Sequence, residues 1–234
     1  YVQYHHPDNL YEFQRILSIK SKKHEKGHLN YLSLEAIKLL LSMPDATTKK
    51  GRRDLALLSL MYDTGCRVQE MADLRVQDVH LSEPYYVTII GKGSKIRQVP
   101  LLPEQMKILS LYVKENRLER IECRPYPLFS NNRHEKLTRG GITHILKNYV
   151  SMARQQNQEI IPDKISGHSL RHSKAMHLLQ AGVNLVYIRD ILGHVSIQTT
   201  EIYARADSKQ KREAIEKAYK NVNPEIEPLW EKDK

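Results

Sequence analysis

The chain has 234 residues, and its 37 lysines and arginines against 27 aspartates and glutamates give a formal net charge of +10. This charge favours a polyanionic partner such as DNA or RNA, although a basic protein without such a partner is an equally open interpretation. Its two cysteines are too few for a disulfide framework, and no apolar run approaches the roughly 18 residues of a membrane span. We therefore expect a cytoplasmic protein with no membrane partner.

The first 30 residues are predicted to precede the main domain. Residues 1–19 include an apolar pattern at 9–18 that predicts a helix too short to be stable alone, so we interpret them as the end of an upstream domain. Residues 20–30 are polar and basic without periodicity, which is typical of a linker. Three lysines of this linker are candidate DNA contacts, with a solvated tether as the alternative interpretation: Lys20, Lys22 and Lys23.

Residues 31–222 are predicted to form one α+β domain, mostly helical with one small antiparallel sheet, and residues 223–234 a polar tail. The domain is predicted to begin with helices at about 33–44, 52–64 and 68–73. Two strands follow, at 86–90 and 96–101, and the glycines between them predict a hairpin. Further helices are predicted at about 103–116, 139–155, 166–180, 185–192, 196–204 and 207–221.

Arg67 follows a Thr-Gly-Cys turn at the start of the third predicted helix. A guanidinium at such a junction can donate several N–H groups to one phosphate, because its planar fork matches the geometry of an oxyanion. Considered alone, Arg67 has a simpler interpretation, which is an ion pair with Glu70 three residues further along.

Lys92 lies in the predicted hairpin between two glycines. Glycines let the backbone approach a ligand closely, so this lysine could reach a DNA groove or a cleft. Lys95 is the rival in the same hairpin, and a charged turn tip is the simpler interpretation of either residue.

The late part of the chain contains a group of residues suited to an anionic centre. His168 and Arg171 are three residues apart on one predicted helix face, and His172 lies four residues from His168. His194 and Tyr203 follow. Guanidiniums can clamp a phosphate, imidazoles can move protons, and a phenol can act as a nucleophile. His168 alone would be interpreted as a structural histidine, but the whole group favours a functional site.

Five motifs resemble, in order and spacing, those of the tyrosine recombinase (phage integrase) family, in its Xer-like branch: TGCRVQE, GKGSKIRQVPL, HSLRH, LGH and IYA. Each motif is weak alone, but the ordered set is specific and extends over about residues 31–220. The resemblance implies the catalytic-domain fold of that family. It also implies that residues 1–19 are the end of the family's N-terminal core-binding domain.

The resemblance implies a role for each matching residue. Tyr203 would be the nucleophile that forms a 3′-phosphotyrosyl link to DNA, and Arg67 and Arg171 would bind the non-bridging oxygens of the scissile phosphate. Lys92 would protonate the leaving 5′-oxygen. The remaining roles would be proton transfer by His168, a hydrogen bond to the phosphate from His194, and support of the site from Glu70.

By the same resemblance, the protein would integrate, excise or resolve DNA segments without a metal ion, cofactor or ATP, because a phosphotyrosyl link keeps the energy of the phosphodiester. Its partners would be a double-stranded DNA site and further protomers, in a homotetramer or a heterotetramer with a related recombinase. The helix at 207–221 and the tail would dock on a neighbouring protomer, with a disordered tail as the alternative. Candidate DNA contacts within the domain are Lys95, Arg139 and Lys147.

Other functions remain open on the sequence alone. A type IB topoisomerase would use the same phosphotyrosine chemistry to relax DNA, and a non-catalytic DNA-binding protein would share the charge and the helices. A zinc hydrolase could use His168, His172 and His194 as ligands. Against zinc, Arg171 would place a cation beside the metal, and the sequence has no HExxH motif.

Overall fold

The structure, a computed structural model, describes Arg15, residues 31–194 and residues 196–206, apart from the side chains of residues 92, 202 and 204–206. Several predictions fall outside the described residues and stay predictions: the helix at 9–18 beyond Arg15, the linker with Lys20, Lys22 and Lys23, the helix at 207–221 and the tail at 223–234.

The described residues form eight α-helices and three strands. In chain order these are α1 (Leu34–Ser42), α2 (Lys49–Thr64), α3 (Val68–Asp73), β1 (Val79–His80), β2 (Tyr86–Ile90), β3 (Ile96–Pro100), α4 (Pro103–Glu115), α5 (Arg139–Gln156), α6 (Gly167–Gln180), α7 (Leu185–Leu192) and α8 (Gln198–Ala206). Within these ranges, no helix combines the length and the apolar character that crossing a bilayer requires.

The three strands form one antiparallel sheet in the order β1-β2-β3. Val87 pairs with Val99, and Ile90 pairs with Ile96 next to the hairpin turn. Val87, Ile89 and Val99 are buried, so one face of the sheet closes the core. The predicted fold class, mostly helical with one small antiparallel sheet, is confirmed.

Helix α2 packs against both α4 and α6 and lies at the centre of the domain. Residues 56–61 are all buried, as expected for a helix covered on several sides. The helix begins at Lys49, earlier than predicted, because the Thr48 hydroxyl caps it by accepting a hydrogen bond from Gly51 N at 3.0 Å. Gly65 ends the helix as predicted, in the left-handed conformation at φ 56°.

Helices α6, α7 and α8 pack on one another around a second, smaller apolar cluster. Its buried members are Ala175, Met176, Leu179, Ile188, Leu192 and Tyr203. Because Tyr203 is itself a member, the packing of α8 against α6 fixes the position of the phenol. Helix α8 begins at Gln198 and not at Ser196, because the Ser196 hydroxyl lies before the helix and accepts a hydrogen bond from Gln198 N at 3.2 Å.

Candidate active site

Glu70 is the buried acid at the base of the candidate site. The Arg67 backbone N–H donates to its Oε2 at 2.9 Å, and the Arg67 guanidinium donates to its Oε1 at 2.7 Å. Arg97 donates from Nη2 to Oε2 at 2.6 Å and from Nη1 to Oε1 at 3.3 Å. Burial acts to raise the pKa of the Glu70 carboxyl, but the hydrogen bonds from Arg97 and Arg67 outweigh it and the pKa is lowered. The carboxylate therefore stays charged and fixes two guanidiniums.

Arg97 was missed by the sequence analysis. Besides binding Glu70, its Nε donates to the Ile191 carbonyl at 2.9 Å, which ties β3 to the end of α7. A Cβ added to Gly193 would lie 2.9 Å from Nη1 of Arg97, so the turn after α7 packs directly on this guanidinium. The strand pattern could have identified Arg97, because alternation along β3 places it on the same face as the buried Val99. A charge at an inward position needs a partner.

Arg171 lies inside the fold and is only 4% exposed. Its Nη1 donates to the Gly65 carbonyl at 2.7 Å and its Nη2 to the Leu192 carbonyl at 2.6 Å. Burial, together with the neighbouring charges of Arg67 and Arg97, lowers its pKa to about 10. The side chain is therefore charged at neutral pH, and two neutral carbonyls hold its guanidinium in place.

His194 follows the turn at Gly193 and packs beside the candidate nucleophile. Its Nδ1 lies 2.9 Å from the hydroxyl of Thr200, which is fully buried. Burial and the positive charges of Arg171 and Arg67 lower the pKa of His194 to about 4. The ring is therefore neutral at pH 7 and presents one donor and one acceptor.

Tyr203 is 1% exposed, and its hydroxyl lies 2.8 Å from Nδ1 of His172. Its ring stacks on His194 with an interplanar angle of 16° and a centroid distance of 6.4 Å. Burial raises the pKa of the phenol, and the nearby charge of Arg171 acts in the opposite direction. His172 thus contacts the Tyr203 hydroxyl, His194 stacks on its ring, and Arg171 lies near enough to act through its charge.

A cavity of about 400 Å³ opens between the hairpin, the start of α3 and the turn after α7. Its charged and ionisable lining residues are Arg67, Lys95, Arg97, Arg189, Asp190 and His194. The Asp190 carboxylate is paired with Arg189 at 2.8 Å. Positive charge therefore dominates the cavity, which suits an anionic group such as a phosphate.

Other candidate residues have no described contact with the Tyr203 hydroxyl. His168 lies in the first turn of α6 and is exposed, and the hydrogen bond of the Tyr203 hydroxyl goes to His172. The backbone of Lys92 lies in a short 3₁₀ turn, and its side chain lies outside the description. Further candidate DNA contacts are exposed and remain predictions: Lys95, Arg139 and Lys147.

The described residues provide no geometry that supports the zinc interpretation. No three of the described histidine, cysteine, aspartate and glutamate side chains lie together in a way that could hold a metal ion. The Nδ1 atoms of His172 and His194 instead lie at hydrogen-bonding distance from the hydroxyls of Tyr203 and Thr200.

Comparison with known proteins places this chain in a family. Residues 16–210 match the phage integrase family. The chain is 32% identical over 217 residues to a putative integrase/recombinase of Sinorhizobium fredii, covering 93% of this chain and 64% of the relative. It is 35% identical over 211 residues to the tyrosine recombinase XerD of Listeria monocytogenes, covering 89% and 67%. The chain thus spans about two-thirds of the length of these curated relatives.

Solved structures of the same kind share the fold. The post-cleavage complex of the XerH site-specific recombinase with its palindromic difH substrate superposes with a TM-score of 0.69 at 26% identity, covering 83% of this chain and 54% of that chain. The XerA recombinase superposes with a TM-score of 0.68 at 25% identity, covering 94% and 76%. The chain therefore belongs to the phage integrase family and has the fold of a tyrosine recombinase catalytic domain.

Proposed function

We propose that this chain contains the catalytic domain of a site-specific DNA recombinase, which cleaves and rejoins strands through a 3′-phosphotyrosyl link. The observation that carries the proposal is the burial of the Tyr203 phenol between two imidazoles and beside the fixed charge of Arg171. Membership of the phage integrase family supports it. The XerH relative is a complex with its DNA substrate, so a DNA site is the partner that we propose for this chain.

In the proposed reaction, the Tyr203 oxygen attacks the scissile phosphorus, and the bond from phosphorus to the 5′-oxygen breaks. Arg67 and Arg171 hold the non-bridging oxygens, and His194 donates a hydrogen bond to the phosphate. The 5′-oxygen leaves as a hydroxyl after receiving a proton. In the rejoining step, a 5′-hydroxyl attacks the phosphotyrosyl link and releases the phenol, so no external energy source is required.

The charges of the site fit this chemistry. Negative charge develops on the phosphate oxygens in the transition state, and fixed cations stabilise it most strongly where water is excluded. Arg171 is well suited because two neutral carbonyls already hold it in place, so little reorganisation is needed during the reaction. Removing one donor of this type typically slows the chemical step about a hundred- to a thousandfold.

The buried phenol imposes one structural requirement. Tyr203 is 1% exposed in this structure, so its hydroxyl has to be uncovered before it can reach a DNA phosphate. We therefore propose that DNA binding opens the packing over the phenol while α8 and α6 keep Tyr203 and His172 in contact. We also propose that several protomers assemble on two DNA sites, as a homotetramer or with a related recombinase.

Covalent trapping tests the proposed function. The substrate would be a pool of nicked duplexes with randomised sequence around the nick, so that the cleaved fragment diffuses away and the protein stays attached. We expect wild type to form a complex that survives denaturation and Tyr203→Phe to form none. Equal trapping by Tyr203→Phe, or failure of wild type to trap any member of the pool, would contradict the proposal.

The proton donor to the 5′-oxygen can be assigned with a modified substrate. Lys92 is our proposed donor, and Lys95, which lines the basic cavity, is the rival. A bridging 5′-sulfur leaves without protonation, so it should restore cleavage to the variant that lacks the donor. We expect restoration for Lys92→Ala and no sulfur effect for Lys95→Ala. The reverse pattern would assign the role to Lys95.

A further inference from the structure

We propose that His172 is a further catalytic residue of this site, and that its Nδ1 accepts the phenolic proton of Tyr203 as the phenol attacks phosphorus. The inference rests on the proposed phosphotyrosyl chemistry. It assigns the proton acceptor to the second histidine of the HSLRH motif, in place of His168, to which the family resemblance assigned proton transfer.

The geometry of the pair carries this assignment. The His172 Nδ1 and the Tyr203 hydroxyl oxygen are 2.8 Å apart, which is the distance required of a general base. The two rings are tilted by 58° with centroids 5.6 Å apart, so the contact runs through the edge of the imidazole to the hydroxyl. Tyr203 is 1% exposed and His172 is half-buried, so bulk water is poorly placed to take this proton.

The groups around His172 determine its protonation. His168 and Arg171 act on it from its own helix, and Tyr203 and His194 act from α8 and the turn before it. Burial, followed by the charges of His168 and Arg171, lowers the pKa of His172. The folded imidazole is therefore neutral at pH 7, and its Nδ1 can accept the phenolic hydrogen bond. The accepting form would be lost only as the pH falls through this lowered value.

Three changes at the reacting atoms accompany one another in the proposed step. The bond from the Tyr203 oxygen to phosphorus forms, the bond from phosphorus to the 5′-oxygen breaks, and the phenolic proton moves to Nδ1 of His172. The general acid, Lys92 in our proposal, protonates the 5′-oxygen. The resulting imidazolium is half-buried and lies beside Arg171, so it is a stronger acid than a free imidazolium and returns the proton to Tyr203 when the strand is rejoined. A reversible proton acceptor suits a reaction that must run in both directions.

Two other roles for the same hydrogen bond predict different cleavage rates for His172 variants. If His172 only holds the phenol in its buried position, removing it should release Tyr203 and speed cleavage. If His172 only orients the phenol, any acceptor at the same place should preserve the rate. His172→Asn separates these roles, because the asparagine Oδ1 can occupy about the position of Nδ1 and accept the hydrogen bond but cannot take the proton.

The experiment measures the single-turnover cleavage rate of the trapped DNA from about pH 5.5 to pH 9. We expect His172→Asn and His172→Ala to be about 100-fold slower than wild type at pH 7, within the range typical of a general base. Their rates should keep rising with pH toward the phenol pKa, whereas the wild-type rate should level off. Added imidazole should partly restore His172→Ala.

Helix α6 offers a matched control in His177. Its Nδ1 lies 2.8 Å from the Tyr62 hydroxyl, so His177→Asn makes the same chemical change in a second imidazole–phenol pair. We expect its cleavage rate and pH profile to match wild type. If His172→Asn proves unfolded by circular dichroism, His172→Gln takes its place as a non-basic acceptor.

The outcomes separate this inference from the proposed function. A wild-type rate and pH profile for folded His172→Asn would overturn the proton-acceptor role while leaving the recombinase proposal intact. Faster cleavage by His172→Ala would also overturn it and indicate a restraining contact. Absence of any Tyr203-dependent covalent complex in wild type would instead overturn the proposed function.

Discussion

Helix α6 makes the same contact twice, with different consequences. His172 and His177 each place Nδ1 2.8 Å from a tyrosine hydroxyl, of Tyr203 in the first pair and of Tyr62 in the second. Burial lowers the pKa of both imidazoles. The histidines are five residues apart, so they point about 140° apart around the helix. The hydrogen bond itself therefore does not mark a nucleophile.

The two pairs differ in the charge beside each phenol. Arg171 lies by Tyr203 and donates to two neutral carbonyls, and its charge opposes the rise in the phenol pKa that burial causes. Beside Tyr62 lies Asp63, and together with burial this carboxylate raises the pKa of Tyr62 to about 12. Lys174 pairs with Asp63 at 3.2 Å and offsets its charge. The proposed nucleophile is thus distinguished by a neighbouring guanidinium, whereas the other phenol lies beside a carboxylate.

Exchanging each tyrosine for phenylalanine should have the largest effect, because it removes the phenolic oxygen of each pair. Tyr203→Phe should reduce covalent complex formation below detection, because the attacking oxygen is gone. Tyr62→Phe should leave the trapping rate unchanged and cost about 1 kcal/mol of unfolding free energy through the lost hydrogen bond. Gel assays and urea denaturation measure the two quantities. A large loss of trapping in Tyr62→Phe would mean that the pairs are not functionally distinct.

Removing the cation beside each phenol should give the next largest effect. Arg171→Ala should slow cleavage about a hundred- to a thousandfold. It should also destabilise the fold by about 1–3 kcal/mol, because the Gly65 and Leu192 carbonyls lose their donor. Lys174→Ala, the matched change in the second pair, should leave the cleavage rate within about twofold of wild type, since it contacts no reacting group. Equal rates for the two variants in single-turnover assays would contradict the role given to fixed charge.

The sequence predicted the elements of this comparison better than their contacts. Caps, apolar periodicity and glycine breaks are local signals, so helices such as α3 and α7 were placed at their observed bounds. Which histidine of HSLRH meets Tyr203 depends on how α8 packs back on α6, a contact between residues 31 positions apart. A single sequence does not encode that distance directly. His172 was accordingly placed in the group suited to an anionic centre but given no role of its own except as a possible metal ligand, and Arg97 was missed although its strand position signalled burial.

Changing Arg97 should disturb the proposed active site indirectly. Arg97 contacts Glu70 and the Ile191 carbonyl, so it positions Arg67 and the turn that carries His194. We expect Arg97→Lys to slow cleavage roughly tenfold, because an ammonium cannot reproduce the planar, forked contact. Its pH profile should keep the wild-type shape, since the proposed proton acceptor is untouched. A changed pH profile would show that Arg97 acts on the proton transfer itself.

Neutralising Glu70 or Asp63 should change the free energy of unfolding, and the effect of Glu70 depends on pH. The pKa of Glu70 is lowered in the folded protein, so its carboxylate stabilises the fold above the unfolded pKa of about 4.3 and loses this contribution as the pH falls through the folded value. Glu70→Gln should therefore cost about 1–3 kcal/mol at pH 7, and the difference from wild type should shrink in acid. Asp63→Asn, whose side chain is 25% exposed, should change stability by about 0.5 kcal/mol or less. Urea denaturation at pH 7 and near pH 4 compares the two variants. If the loss of unfolding free energy in Glu70→Gln stays constant between these pH values, the shape of Glu70, and not its charge, holds Arg67 and Arg97 in place.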